Sequence, residues 1–149
     1  MDGTVRPAPT IRGMEWKLEL IVVPVSDVDR SKSFYVDDLG FDLIVDHRAG
    51  EDFRVVQVSP TGSACALALM KNPDAAGSLQ GLHLVVEDVD AARAELLGRG
   101  VEPSEIFHFV DGNQQSGSDP EHRDYNSFLS FNDPDGNGYL VQEVRRGGA

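Results

Sequence analysis

Residues 82–92 read LHLVVEDVDAA, an apolar run typical of a strand that passes directly into a helix. Sixty-one residues earlier, residues 21–31 read IVVPVSDVDRS, with the same valine and aspartate residues at matching positions. The match extends to the ends of both helices, at Leu39-Gly40-Phe41 and Arg99-Gly100-Val101. A repeat of this length predicts that the chain consists of two copies of one supersecondary unit.

The bulk composition restricts the classes of function. A chain of 149 residues with 40% hydrophobic content is long enough for one domain with a real core. The net charge of −12 argues against a nucleic-acid partner, and no apolar run is long enough to predict a membrane partner. The first residues do not resemble a signal peptide, and the single cysteine, Cys65, excludes an internal disulfide, so we expect a cytoplasmic protein.

The first unit is predicted to be βαβββ. After a disordered tail (1–14), a β-branched strand covers residues 16–25, and Ser26 with Asp29 resembles a capping box that starts a helix. Gly40 is placed to end that helix. Turn residues then separate three further strands, at 41–47, 53–59 and 64–70. Module 1 therefore covers residues 15–70.

A polar linker (71–80) leads to module 2, residues 81–145, with 146–149 as a second tail. Its strand covers 81–87, its helix ends at Gly100, and later strands are predicted at 105–110, 125–131 and 139–144. The long polar stretch 111–124 is either a mobile surface loop or a lid over a ligand.

Four stretches in this order resemble the vicinal oxygen chelate superfamily, which includes glyoxalase I, bleomycin-resistance proteins and extradiol dioxygenases. They are VSDVDRSKSFY (25–35), LGF (39–41), VDAA (89–92) and DPDGN (133–137), and the resemblance covers about residues 16–145. It implies an α+β fold in which two repeated βαβββ modules form an incomplete barrel around a cleft, with the helices outside. It also implies a homodimer, because one pair of modules leaves sheet edges that need covering.

Strand alternation predicts which side chains face the cleft. The apolar residues at 21, 23, 25, 82, 84 and 86 pack beneath the helices, so the residues between them face the cleft. The resemblance places the family's metal ligands at Leu20, Gly81 and Leu140, whose side chains offer no ligand atom. We therefore expect no cofactor. The alternative is a divalent metal held by His83 and Gln142 after a register shift of two residues.

The stretch from Asp133 to Asn137 imitates the start of an EF-hand calcium loop. The twelfth position of such a loop must be a bidentate glutamate, and here it is Val144. We interpret the stretch as a tight turn that feeds the last strand.

Two hypotheses for function follow. The first is a metal-free small-molecule binding protein of the glyoxalase/bleomycin-resistance type, with a cationic or aromatic organic ligand in an apolar cleft. The predicted lining residues are Trp16, Leu20, Val22, His83, Val85, His108, Leu140 and Gln142. The alternative is a glyoxalase-like lyase or isomerase that acts beside a carbonyl, with a divalent metal or with His83 as general base. The candidate catalytic residue is His83 alone.

Overall fold

The computed structural model describes residues 13–145, so the predicted tail 146–149 and most of the tail 1–14 lie outside the described residues. The first sheet has the strand order β1-β4-β3-β2 and the second the order β5-β9-β8-β6-β7. The first sheet contains β1 (Leu20–Val25), β2 (Asp42–Ala49), β3 (Phe53–Ser59) and β4 (Ala66–Lys71). The second contains β5 (Leu82–Val86), β6 (Phe107–Val110), β7 (Asn113–Ser116), β8 (Ser127–Asn132) and β9 (Gly138–Glu143).

The predicted fold class is confirmed: two modules, a βαβββ unit and the same unit with the extra strand β7, give two mixed sheets with few helices and no closed barrel. In each module the first strand runs parallel to the last, and the remaining strands pair antiparallel. None of the described helices is long and apolar enough to cross a membrane.

The polar stretch 111–124 contains a strand that the sequence analysis did not predict. Strand β7 pairs antiparallel with β6 through a tight turn in which Asp111 and Gly112 both have positive φ. The strand escaped prediction because its residues, including Gln114 and Gln115, are polar and exposed and so show no apolar alternation.

The helices are α1 (Val28–Lys32), which continues as a π-helical stretch (Ser33–Asp38), and α2 (Val89–Gly98). The prediction that Ser26 caps the first helix is wrong. Asp27 is the N-cap, and its carboxylate accepts the Arg30 N–H at 3.1 Å. The Ser26 hydroxyl instead binds Asp135 in module 2.

Each helix packs on one face of its sheet, which we call the helix face; the opposite face is the open face. The two helix faces share one core, because the π-helical stretch of module 1 also packs on the second sheet. Tyr35 contacts Tyr139 of β9 with ring centroids 6.0 Å apart, and Phe34 contacts Phe131 of β8 at 6.5 Å. The π-helical stretch therefore contacts both sheets, and their helix faces share one core.

The turn after β8 connects the modules by hydrogen bonds. The Asp133 carboxylate accepts hydrogen bonds from the Tyr35 hydroxyl at 2.8 Å and from the Asn137 backbone N–H and side-chain amide. That amide also donates to the Pro24 carbonyl oxygen at 2.9 Å. Burial raises the pKa of the Tyr35 phenol well above its usual range, with Tyr139 and Asp133 adding to the effect. The stretch that imitates a calcium loop is thus a turn that joins the modules.

Candidate functional site

The two open faces carry most of the predicted lining residues. The strand register places on the first open face Leu20, Val22, Pro24, Ala66, Ala68, Met70 and Gln57. It places on the second His83, Val85, Leu140, Gln142, Ser130, Phe128, Phe107 and Phe109. Apolar side chains on both faces are exposed, for example Val22 at 54% and Val85 at 55%.

The two sets of lining residues lie on different sheets. Leu20 and Val22 lie on the first open face, whereas His83, Val85, Leu140 and Gln142 lie on the second. Trp16 lies on neither sheet, because strand β1 begins at Leu20 and not at residue 16 as the sequence predicted. Each sheet therefore presents half of the predicted site.

The His83 ring is held by a hydrogen bond to the backbone just before β5 begins. Its Nδ1 atom donates to the Gly81 carbonyl oxygen at 2.8 Å. A carbonyl oxygen can only accept, so in the neutral ring Nδ1 carries the proton and Nε2 keeps its lone pair. His83 therefore presents a hydrogen-bond acceptor on an exposed surface, beside Leu140 in the paired strand.

His108 does not line the open face, which corrects the expectation that it reaches the cleft. Its Nδ1 atom binds the Gly117 carbonyl oxygen at 2.7 Å, and the residue is buried. Alternation in β6 turns His108 and its partner Ser127 to the helix face, so Phe107 and Phe109 take the open face instead.

Three phenylalanines on the second open face form a cluster that the sequence analysis missed. Phe107 stacks on Phe128 with centroids 5.4 Å apart, and Phe109 meets both rings edge-on at 5.9 and 5.7 Å. The Asn126 side chain accepts from the Phe109 N–H and donates to its carbonyl oxygen, which fixes Phe109 beside β8. The alternation of Phe107 and Phe109 in a predicted strand was the available signal.

The donor atoms of the site do not fit a resident divalent metal. The positions that the family uses for ligands hold Leu20, Gly81 and Leu140, which have no donor side chain. The described residues contain no group of three or more His, Cys, Asp or Glu side chains that could hold a metal ion. His83 and Gln142 together supply two donors, and divalent ions need more.

A groove of about 640 Å³ runs along the edge of β5, between the modules. Its walls include Phe41 and Pro60 of module 1, Arg99 of α2, and both His83 and Val85 of the second open face. Among the described residues β1 pairs only with β4, and β5 pairs only with β9. Each of these first strands therefore lies at one edge of its sheet and has one unpaired side.

The chain matches known proteins over most of its length. The family model described as Glyoxalase/Bleomycin resistance protein/Dioxygenase superfamily matches residues 17–139. The crystal structure of TnmS3, an antibiotic binding protein from Streptomyces sp. CB03234, is 33% identical, with a TM-score of 0.70 over 89% of this chain and 99% of that one.

Two further proteins are similar to this chain over most of its length. A glyoxalase/bleomycin resistance protein from Streptomyces sp. CB03234 is 36% identical, with a TM-score of 0.65 over 85% of this chain and 100% of that one. The uncharacterized protein YetH of Bacillus subtilis (strain 168) is 27% identical over 83% of this chain and 94% of its own length.

Proposed function

The chain belongs to the glyoxalase/bleomycin resistance protein/dioxygenase superfamily, and from that premise we propose that it is a small-molecule binding protein that takes a flat organic ligand without a metal cofactor. The observation that carries the proposal is that the phenylalanine cluster and His83 lie on the same open sheet face. Similarity to TnmS3, an antibiotic binding protein, supports the same class of function.

The chemistry of the second open face favours an aromatic ligand over a cationic one. Exposed Phe109 offers a ring for offset or edge-on stacking, and the residues that form the face include no carboxylate. The Nε2 atom of His83 accepts a hydrogen bond. Strands in a sheet are about 4.8 Å apart, so His83 on β5 and Phe128 on β8 are roughly 10 Å apart across the sheet. A ligand with fused or linked rings and a donor at one end would span this distance.

We propose that the cleft is completed in a homodimer. The two open faces belong to different sheets of one chain, and β1 and β5 each lie at a sheet edge that could join another chain. A two-fold axis would place the first open face of one copy beside the second open face of its partner. The same axis would place the second open face of the first copy beside the first open face of the partner. The dimer would thus hold two clefts, each with the half-sites that one chain separates.

Calorimetric titration with a panel of flat aromatic compounds tests this function. We expect binding that Phe109→Ala weakens by about fivefold, because a lost aromatic contact costs about 1 kcal/mol. Leu97→Ala, which removes an exposed leucine from α2, is the matched control and should bind as the original chain does. Equal affinities for the two variants would contradict the proposal that the second open face binds the ligand. Light scattering at the same concentrations tests the proposed homodimer.

Elemental analysis of the purified protein tests the absence of a metal cofactor. We expect far less than one divalent ion per chain, because Leu20, Gly81 and Leu140 cannot coordinate one. Close to one Zn, Ni, Fe or Mn per chain, lost in His83→Ala, would contradict this and favour a metal-dependent enzyme.

A lyase or isomerase that uses His83 as general base is the second candidate, since its Nε2 lone pair could take a proton from carbon beside a carbonyl. The C–H electron pair would pass into an enolate. Proton exchange from a carbonyl ligand into deuterated water, abolished in His83→Gln with ligand affinity retained, would support catalysis. We propose the cytoplasm as the location of either activity, in keeping with the single cysteine.

A further inference from the structure

The backbone pairing between β6 and β8 ends one residue before Phe109. Among the described residues, β6 pairs with β8 through Phe107 and His108 alone. Phe109 instead binds the side chain of Asn126, whose Oδ1 atom accepts the Phe109 N–H at 3.2 Å and whose Nδ2 atom donates to the Phe109 carbonyl oxygen at 3.0 Å. This amide takes the place of a backbone partner, so the position of Phe109 beside β8 depends on how the amide is held.

The carboxylate of Asp119 holds that amide. The Nδ2 atom of Asn126 carries two N–H groups, and besides the Phe109 carbonyl oxygen it donates to Oδ2 of Asp119 at 3.0 Å. Because a carboxylate can only accept, it keeps the NH₂ group on its own side and leaves Oδ1 of the amide for the Phe109 N–H. A chain of hydrogen bonds therefore runs from Asp119 through Asn126 to both backbone groups of Phe109.

Asp119 is itself a fixed, charged acceptor. The residue is fully buried, and its carboxylate accepts the backbone N–H of Glu121 at 2.9 Å and that of Arg123 at 3.3 Å, with the Arg123 guanidinium 3.1 Å from both oxygens. Its own backbone N–H donates to the Ser127 hydroxyl of β8 at 2.9 Å. The hydrogen bonds to the carboxylate, led by the one from Asn126, hold the pKa of Asp119 well below its usual range. The anchor is thus ionised at neutral pH and tied to the strand that carries Phe128.

The Phe109 ring is the member of the phenylalanine cluster that depends most on its backbone. Phe107 and Phe128 stack on each other, whereas Phe109 meets both of them edge-on and is 39% exposed. Phe109 is also the residue before the last one of β6. The orientation of this ring therefore relies on the contact with Asn126.

We propose that Asp119 is a positioning residue of the second open face, which fixes the backbone of Phe109 through Asn126 and so presents the Phe109 ring to the ligand in one orientation. The inference rests on the proposed function. A ring that is ordered before binding loses less conformational entropy when a ligand stacks on it, so Asp119 raises affinity without touching the ligand.

Nuclear magnetic resonance of isotope-labelled phenylalanine rings tests the positioning without any ligand. The chain has seven phenylalanines, and the spectrum of Phe109→Leu identifies the Phe109 signals. We expect contacts from the Phe109 ring to both neighbouring rings in the original chain, and their loss in Asp119→Ser. A serine hydroxyl can still accept the Glu121 N–H but is too short to reach Asn126.

Asn126→Ala breaks the same chain of hydrogen bonds at its other end and leaves the remaining contacts of Asp119 in place. It should release the Phe109 ring as Asp119→Ser does, and the double variant should show no further change. An unchanged ring in Asn126→Ala would overturn the proposal even if Asp119→Ser did not fold.

Arg123→Ala is the matched control, because it removes a different partner of Asp119 and keeps the contact with Asn126. The Phe109 ring should keep its contacts in this variant. Their loss would mean that the general order of the loop, and not the route through Asn126, positions the ring, and would overturn the proposal.

Titration with the fused-ring dye anilinonaphthalene sulfonate tests the consequence for binding. We expect Asp119→Ser to weaken binding about threefold, within the range for ordering one side chain. The same substitution should have no effect in a Phe109→Ala chain, where no ring remains to be positioned. Equal weakening in both chains would overturn the positioning role. A dye that does not bind the original chain would overturn the proposed function and the role of Asp119 in it, whereas an unchanged ring in Asn126→Ala overturns the positioning alone.

Discussion

The two helices begin with the same N-cap structure, but the residues that anchor each helix start come from different parts of the molecule. Asp27 and Asp88 are both extended N-caps, with φ of −140° and −146°, and each accepts a backbone N–H three residues later, at 3.1 and 3.0 Å. Beyond the cap, Glu143 of the same module accepts the Val89 N–H of α2 at 2.9 Å. The start of α1 is instead held by Asp135 of the other module, which binds both the backbone and the hydroxyl of Ser26.

The strand register explains the difference. Glu143 pairs with Val86 at the end of β5, and the equivalent residue of module 1, paired with Val25, is Lys71. A lysine cannot accept a backbone N–H, so module 1 lacks the internal anchor. The difference teaches that module 2 holds its helix by itself, whereas module 1 depends on contacts across the module boundary. Four predictions test this comparison.

Asp133→Ala should have the largest effect, because Asp133 serves the contact between modules. Its removal leaves the Tyr35 hydroxyl, the Asn137 amide and two backbone N–H groups without their acceptor in a buried site. We expect the free energy of unfolding to fall by about 3–5 kcal/mol, measured by urea denaturation at fixed chain concentration. Asp38→Ala, an exposed control, should change it little. A loss below about 1 kcal/mol would mean that the modules are held together elsewhere.

Glu143→Gln should have a smaller effect that stays within module 2. The side chain is fully buried, accepts the Val89 N–H through one oxygen and binds the His122 ring at 3.1 Å through the other. The amide keeps one acceptor, so we expect a loss of about 1–3 kcal/mol. Hydrogen exchange should accelerate in the first turn of α2 and not in α1. Equal acceleration in both helices would contradict an anchor that is internal to module 2.

The repeat and the buried face of β1 could be predicted because they depend on neighbours in sequence, whereas the cap of the first helix was predicted one residue early, at Ser26 instead of Asp27. Alternation of Ile21, Val23 and Val25 with Leu20 and Val22 determines which side is buried, and the structure agrees. The contacts of Asp133 with Tyr35 and of Asn137 with Pro24 could not be predicted, because they join residues about a hundred positions apart in the chain.

The candidate site was predictable in part for the same reason. The strand patterns placed His83 and Gln142 on one face of one sheet, and the register of β5 and β9 agrees; their role as cleft residues stays a prediction. They carry no information on how two modules pack, so the separation of the half-sites was invisible in the sequence. His108 was misplaced because the alternation of Phe107, His108 and Phe109 shows only that the histidine and the phenylalanines face opposite sides, and not which side is the open face.

Tyr35→Phe should reduce stability by about 1–2 kcal/mol at neutral pH, since the buried hydrogen bonds of its hydroxyl with Asp133 and with the Tyr139 hydroxyl are lost. Burial raises the pKa of both Tyr35 and Tyr139 above the ordinary value of 10.0, so folding favours the protonated phenols. This stabilisation is complete below pH 10.0 and is lost as the pH rises further, because the unfolded chain then loses protons that the folded chain keeps. In Tyr35→Phe the alkaline slope of the free energy of unfolding should be about halved, because Tyr139 remains. An unchanged slope in denaturation series above that pH would contradict the role of Tyr35.

The N-caps should give the smallest and most evenly matched effects. Asp27→Ala and Asp88→Ala each remove one acceptor for a backbone N–H from an exposed cap of nearly identical geometry. Loss of such a cap costs about 1 kcal/mol, so the two variants should lose stability within about 0.5 kcal/mol of each other. Asp88 also lies 4.0 Å from Arg145, but an exposed ion pair adds little. If the two caps contribute equally, the helices differ only in their anchors, which are Asp135 of the other module for α1 and Glu143 of the same module for α2. A much larger loss in Asp27→Ala would instead mean that α1, which has a single short turn before its π-helical stretch, also relies on its cap.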